Sequence, residues 1–185
     1  MKTIKNFKIL AIMAFAISAL QVSFVSCSDD PGAENYYTST SEYASDFLRN
    51  REKFSKFVKV VEQSNKMHLL STYGQYTVFA PTNEAFDLYL AGRGWTMDSL
   101  LSHQADCDTI TLTHIIENAA YFTTDFSDGT YNQTNMLNRV LTISSDSDTL
   151  SVPGEVRLAM YINKSSRIIQ ADDSVENGVV HTMDK

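Results

Sequence analysis

The hydrophobic pattern divides the chain into three stretches of different grammar. Ile9–Leu20 is an uninterrupted, uncharged and mostly apolar run, whereas residues 28–45 are polar, contain Pro31-Gly32 and lack a sustained period. From Asp46 onward the apolar positions organise into elements. Phe47, Leu48, Phe54, Phe57, Val58, Val60 and Val61 place most of an apolar face on one side of a helical segment, interleaved with Arg49, Arg51, Glu52, Lys53, Lys56 and Lys59. A second helical piece, Val61–Leu70, leads to a turn at Ser71-Thr72-Tyr73-Gly74. Tyr76–Ala80 then reads as a β-branched and aromatic strand that Pro81 stops. Thr82 or Asn83 caps the next helix, which carries Glu84 in its first turn and packs Phe86, Leu88 and Leu90.

Ala91-Gly92-Arg93-Gly94 breaks that helix, and Met97–Ser102 forms a short one. Asp106–Asn118 begins with acids, which suit a helix N-terminus, and Ile110, His114, Ile115, Ile116 and Ala119 give it a buried stripe. Its β-branched Thr and Ile residues work against the helix. Beyond Tyr121 the grammar becomes strand and turn. Ser127-Asp128-Gly129 is a turn, Arg139–Ser144 alternates, Ser144–Asp148 is a polar hairpin loop, and Thr149–Val152 follows. Val156–Ile162, Arg167–Ala171 and Val179–Met183 complete the strands. Helices gather in the first half and strands in the second, so an α+β domain is expected rather than a parallel α/β sheet.

Charge and composition narrow the class. With 43% hydrophobic residues and plentiful aromatics, one domain with a genuine core is expected. The formal charge is −7 for the whole chain, and clustered Lys/Arg is missing from it. A phosphate backbone calls for a basic face, so nucleic acid is excluded as a partner.

The first stretch points to export. Lys2, Lys5 and Lys8 precede an apolar run of signal-peptide length, and about 20 apolar residues would be needed to span a bilayer. Residues 1–26 are therefore expected to be a cleaved signal peptide. Phe24-Val25-Ser26-Cys27 resembles the lipobox of bacterial lipoproteins, although Phe24 stands where leucine is usual. That resemblance implies lipid attachment at Cys27 and a membrane anchor; an ordinary thiol after conventional cleavage is the alternative. Ser28-Asp29-Asp30 is similar to tags that route some Gram-negative lipoproteins to the outer membrane and cell surface. Residues 27–45 would then be the lipidated N-terminus and a flexible tether, averaging roughly 20–25 Å end to end. The second of the two cysteines, Cys107, has no partner if Cys27 is acylated; a Cys27–Cys107 disulfide is the competing arrangement.

Two segments of residues 46–185 stand out together. Thr77-Val78-Phe79-Ala80-Pro81-Thr82-Asn83-Glu84-Ala85-Phe86 resembles the first signature of fasciclin-like domains, and Asn177-Gly178-Val179-Val180-His181-Thr182-Met183-Asp184 resembles the second. Leu112-Thr113-His114-Ile115-Ile116 is similar to the family's central helix, and Tyr121–Leu137 to its link into the sheet. The resemblance implies a wedge-like β-sandwich with several helices packed on one side, and the two signatures as neighbouring strands in its core. It makes the signature residues structural first: Pro81 ends a strand, Thr82 or Asn83 satisfies helix N–H groups, and Asn177-Gly178 supplies a turn. His181 and Asn83 are accordingly expected to be core residues with satisfied hydrogen bonds rather than catalytic ones. The Tyr-His pair and Asp-Ile motifs tied to integrins in animal members are missing: Thr113 precedes His114, and Thr109 follows Asp108. Because family members usually finish a last strand after the second signature, the domain is expected to be truncated at Lys185 or continued in a longer protein.

Candidate chemistry adds little. His103 and Cys107 lie four apart, with His114 seven further on, but a chance grouping outweighs a zinc site and no metal is expected. There is no metalloprotease helix, no Gly-x-Ser-x-Gly elbow and no glycine-rich phosphate loop. No catalytic residue and no cofactor are assigned, and the chain reads as a non-enzyme. Asp98-Ser99-Leu100, Asp108-Thr109-Ile110, Asp148-Thr149-Leu150 and Asp173-Ser174-Val175 resemble an O-glycosylation pattern of some Gram-negative envelope proteins; turns and caps account for them equally. The expected function is a surface-exposed adhesion or interaction module, lipid-anchored in the outer membrane, whose partner is an envelope or extracellular protein or glycan. The alternative is polysaccharide capture, with Tyr36, Tyr37, Tyr43, Tyr131 and Trp95 as stacking surfaces.

Overall fold

The computed structural model of the chain describes residues 42–126, 130–148 and 157–185. The leader, Cys27, most of the tether, the turn Ser127-Asp128-Gly129 and the strand Thr149–Val152 lie outside the described residues. Five α-helices are present among those described: α1 (Ala44–Arg49), α2 (Ser55–Gln63), α3 (Asn83–Arg93), α4 (Met97–Leu101) and α5 (Gln104–Thr113). Short 3-10 turns span Glu52–Phe54, Leu69–Ser71 and Thr123–Asp125. The strands are β1 (Tyr76–Pro81), β2 (Ile115–Glu117), β3 (Thr130–Thr134), β4 (Val140–Asp148), β5 (Arg157–Ile162), β6 (Ser166–Val175) and β7 (Gly178–Met183).

The strand order is β2-β1-β7-β6-β5-β4-β3. β1 and β7 run parallel in register from Tyr76↔Gly178 to Pro81↔Met183, and the other pairings are antiparallel. β5 and β6 share only Tyr161↔Arg167 and Ile162↔Ser166, next to the turn that joins them. Beyond that point β6 follows β7 instead, with register shifts on either side of Gln170. The sheet thus opens into a wedge whose two halves are hinged at the β5–β6 turn.

Two apolar clusters fill the structure, and the β1/β7 pair separates them. Val78, Ala80 and Val180 point to one face, where they pack with Phe47, Leu48, Phe54, Phe57, Val60, Val61, Leu70 and Leu100 of the helical layer. Phe79 and Met183 point to the other, against Leu141, Ile143, Met160, Ile162 and Ile168. A parallel pair covered on both faces needs apolar residues at consecutive positions, which is why Val78-Phe79-Ala80 and Val179-Val180 are consecutive apolar positions rather than alternating ones. Each fully buried Phe, Leu or Val contributes roughly 1.5–3 kcal/mol of transfer free energy. The expected α+β class, with helices packed on one side, is what the chain adopts.

Several expected boundaries move. Ala44 and Ser45, assigned to the tether, are buried, because Ala44 N–H donates to Asn177 Oδ1 (2.9 Å) and fixes the start of α1. The first amphipathic segment is two helices joined through a 3-10 turn, and Val61–Leu70 is helical only to Gln63 and again at Leu69–Ser71. Helix α5 stops at Thr113, and Ile115 and Ile116 form β2, where the β-branched side chains prefer to be. Gly92 lies inside α3; Gly94, at φ 65°, ends it. Leu88, expected to pack, is 63% exposed. The polar stretch Ser144–Asp148 continues β4 instead of looping, and β3, made of TYNQT, pairs with β4 despite its polarity.

Candidate functional site

The two signature segments meet in one place, and each residue has a definable task there. Pro81 closes β1, and the next amide, Thr82 N–H, donates to Met183 O (3.2 Å), so β1 and β7 end together. Thr82 is the cap of α3, its Oγ1 accepting from Ala85 N–H at 3.3 Å. Asn83 caps a different helix. Its Oδ1 accepts from Lys56 N–H (3.0 Å) in the first turn of α2, and its amide donates to Glu52 O (2.9 Å). The open choice between Thr82 and Asn83 is thus resolved by both, one for the local helix and one across the fold. Ala85 and Phe86 are buried, with Phe86 against Phe57 at 6.2 Å between ring centroids. Thr77 Oγ1 donates to Ala119 O and accepts from Tyr121 N–H, both at 2.9 Å, which pins the chain that leaves β2.

The second segment is anchored as tightly. Asn177 is 1% exposed; its Oδ1 accepts from Ala44 N–H and its amide donates to Leu70 O (3.0 Å) and Thr72 O (2.9 Å). One side chain therefore ties the start of α1 and the loop before β1 to the β6–β7 turn. Gly178 adopts φ +146°, with its Cα so close to Tyr76 that an added Cβ would stand 1.9 Å from Tyr76 O. Val179 and Val180 are fully buried. Asp184 closes the segment: its Oδ1 accepts from Arg167 N–H (2.8 Å), and its own N–H donates to Arg167 O (3.1 Å).

His181 is fully buried and stacks on Phe79 at 5.5 Å between ring centroids. Its Nδ1 accepts from Asp172 N–H (3.2 Å), so the proton sits on Nε2, which donates to Tyr121 O (2.8 Å). Burial holds its pKa below the usual histidine range, and the hydrogen bond to Tyr121 O only partly offsets this. The Asp172 carboxylate stands 4.0 Å from Nδ1, too far to hydrogen-bond there, and accepts instead from Thr123 N–H (2.8 Å) and the Thr123 hydroxyl. Both ring nitrogens are engaged, so the ring acts as a strut between β6, β7 and the 121–125 loop rather than as an acid or base.

Asp172 and Asn135 were not singled out from the sequence. Asp172 sits at φ 63° in the irregular part of β6. Asn135, 3% exposed, accepts from Leu137 and Arg139 N–H and donates to Thr113 O (3.1 Å), which locks the β3–β4 turn onto the end of α5. The available signal was chemical: Asp and Asn tolerate left-handed backbone and bond to neighbouring amides, so inside strand-like sequence they mark such joints.

The other sequence candidates are scattered. His103 stacks on Trp95 with its Nδ1 on Ser99 O, Cys107 is buried with its thiol donating to Leu100 O (3.4 Å), and His114 rests against Phe57. Among the described residues no group of three His, Cys, Asp or Glu side chains is arranged to hold a metal ion. Ser99 and Thr109, from the Asp-Ser/Thr patterns, lie inside α4 and α5, Ser174 lies in β6, and Thr149 is outside the described residues. Of the aromatic candidates, Trp95 has His103 stacked on it at 4.9 Å and the Arg93 guanidinium 5.1 Å from its centroid. Tyr43 meets Tyr73 edge-on, and Tyr131 packs on Phe126. Tyr36 and Tyr37 lie outside the described residues.

Comparison with known proteins agrees with this arrangement. Protein sll1483 of Synechocystis sp. is 31% identical over 136 residues, which cover 72% of this chain and 66% of that protein. Among solved structures, the FAS1 domain pair from the insect cell adhesion molecule fasciclin I superposes with a TM-score of 0.62 at 15% identity, covering 77% of this chain and 49% of that one. The chain thus spans about two thirds of that curated relative and about half of the solved pair. A family model described as Fasciclin domain matches residues 52–185, both signatures included, and the chain belongs to the fasciclin domain family.

Proposed function

We propose that this protein is a non-enzymatic interaction module, held at the outer membrane by a lipid on Cys27 and mediating adhesion or assembly at the cell surface. The observation that carries the reading is the pairing of a fasciclin domain, an adhesion-type module, with a leader ending in Phe24-Val25-Ser26-Cys27. Support also comes from the signature residues. Asn83, Asn177 and His181 spend their polar groups on the fold itself, which leaves recognition to surface loops.

Metabolic labelling with a lipid precursor tests the anchor: wild type takes up label and Cys27→Ala does not. Equal labelling of the two removes the anchor from the proposal. Surface orientation is read by protease treatment of intact cells, which degrades an outward-facing domain and spares a periplasmic one. For the partner, affinity capture from envelope extracts is paired with a glycan array. Array binding that survives washing would turn the function to polysaccharide capture, and silence on the array leaves a protein partner.

A further inference from the structure

A mostly apolar cavity of about 250 Å³ lies between α3, α5, the ends of β1 and β7 and the β5–β6 turn. Phe79, Phe86, Tyr89, Ile110, Leu141 and Met183 supply its apolar and aromatic walls. An apolar cavity of roughly 150 Å³ already takes up a benzene ring, so this one has room for a substituted ring or a fused pair.

Polar residues line it in two places: Thr113 and His114 at the end of α5, and Asn163, Ser166 and Lys185 around the β5–β6 turn and beyond β7. The His114 Nδ1 is 2.7 Å from Ile110 O and therefore carries the proton, since a carbonyl can only accept. Nε2 is then a lone-pair acceptor, and it has no hydrogen-bond partner among the described residues. Burial lowers the His114 pKa, which keeps the ring neutral and Nε2 an acceptor at neutral pH. An acceptor without a protein partner, on the wall of an aromatic cavity, selects a ring that can donate to it: an O–H does so, and an ether or a hydrocarbon does not.

We propose that this cavity binds a small phenol, with the aromatic ring among Phe79, Phe86 and Tyr89 and the hydroxyl donating to His114 Nε2. Nothing in the adhesion reading requires this site, and the two stand or fall separately.

The test uses two probes of nearly equal size, 2-naphthol and 2-methoxynaphthalene, titrated by calorimetry into the full chain at neutral pH. The phenol should bind roughly tenfold more tightly, the effect of one hydrogen bond to an otherwise unpaired group. In His114→Phe that preference should vanish while the ether binds as before. Ile110→Trp, which fills the cavity, should abolish binding of both, with circular dichroism and thermal melting showing that each variant is folded. Equal affinities in wild type, binding that survives a folded Ile110→Trp, or no binding of either probe at its solubility limit would each overturn the proposal. Should Ile110→Trp fail to fold, the His114→Phe comparison decides alone.

Discussion

Replacing Gly178 by alanine asks whether the parallel pairing of the two signatures depends on one missing side chain. Gly178 sits at φ +146°, a backbone region open essentially to glycine, and a Cβ there would meet Tyr76 O at 1.9 Å and Tyr76 C and N at 2.8 Å. Ordinary contact begins near 3.4 Å, so β1 and β7 would have to part by about 1.5 Å at their first register pair, Tyr76↔Gly178. The neighbouring bond from Tyr76 N–H to Asn177 O is 2.9 Å long and would not survive that opening. Backbone strain of about 1–3 kcal/mol and one lost hydrogen bond of about 1 kcal/mol together give roughly 2–4 kcal/mol. That is a large part of the 5–15 kcal/mol typical of a whole domain. Urea denaturation followed by circular dichroism measures it. The control is Gly92→Ala: Gly92 lies within α3 with nothing within 4 Å of an added Cβ, so the change should stabilise by about 0.5–1 kcal/mol. A Gly178→Ala loss below about 1 kcal/mol, or a change no worse than at Gly92, would refute the reasoning.

Three other predictions follow from the same contacts. Asn177→Ala removes bonds to Ala44 N–H, Leu70 O and Thr72 O in a buried position and should cost roughly 3 kcal/mol in denaturant titration, whereas a loss under about 1 kcal/mol would mean that water replaces the side chain. His181 and His114 both have pKa values lowered in the fold. The unfolded chain therefore binds more protons below its ordinary histidine pKa of about 6.5, and stability should be full above that pH and fall as pH drops from it toward the folded values. His181→Phe should be less stable yet show a shallower fall between about pH 7 and pH 5, and an unchanged slope would assign the effect elsewhere. The Cys107 thiol is buried, and burial raises its pKa. In a Cys27→Ala background, where Cys107 is the one remaining cysteine, a thiol reagent should modify it only as fast as the domain opens. Modification at the rate of a free thiol would show the α4–α5 region to be loose.

The periodic and chemically marked parts of the fold were legible in the sequence. Strand β1, the capped helix after it, the break near Gly94 and strand β7 follow from apolar runs, a proline, a hydroxyl cap and glycines, all of which act locally. Misplaced features depend on what lies across the structure. Ile115 and Ile116 continue a helical stripe by spacing, yet β1 offers them an edge and draws them into β2. Tyr131–Thr134 carries little strand signal, and β4 supplies the partner. Leu88 has helical spacing but turns to solvent because α3 meets the core through Ala85, Phe86 and Leu90 instead.

The candidate site divides along the same line. That Thr82 or Asn83 caps, that Gly178 turns and that Val78, Phe79, Val179 and Val180 are buried could be read from the residues themselves, because each of these features acts within a few positions of its own backbone. The proposed leader and the proposed lipid site at Cys27 likewise rest on linear sequence alone, since targeting signals are short. Tertiary structure decided what the long-range polar groups do. Asn83 reaches 27 residues back to Lys56, Asn177 reaches 133 back to Ala44, and His181 reaches 60 back to Tyr121. A side-chain amide or imidazole has no periodicity to reveal its partner. Only the register of β1 on β7, set by two apolar faces and one absent Cβ, brings those partners within hydrogen-bonding distance.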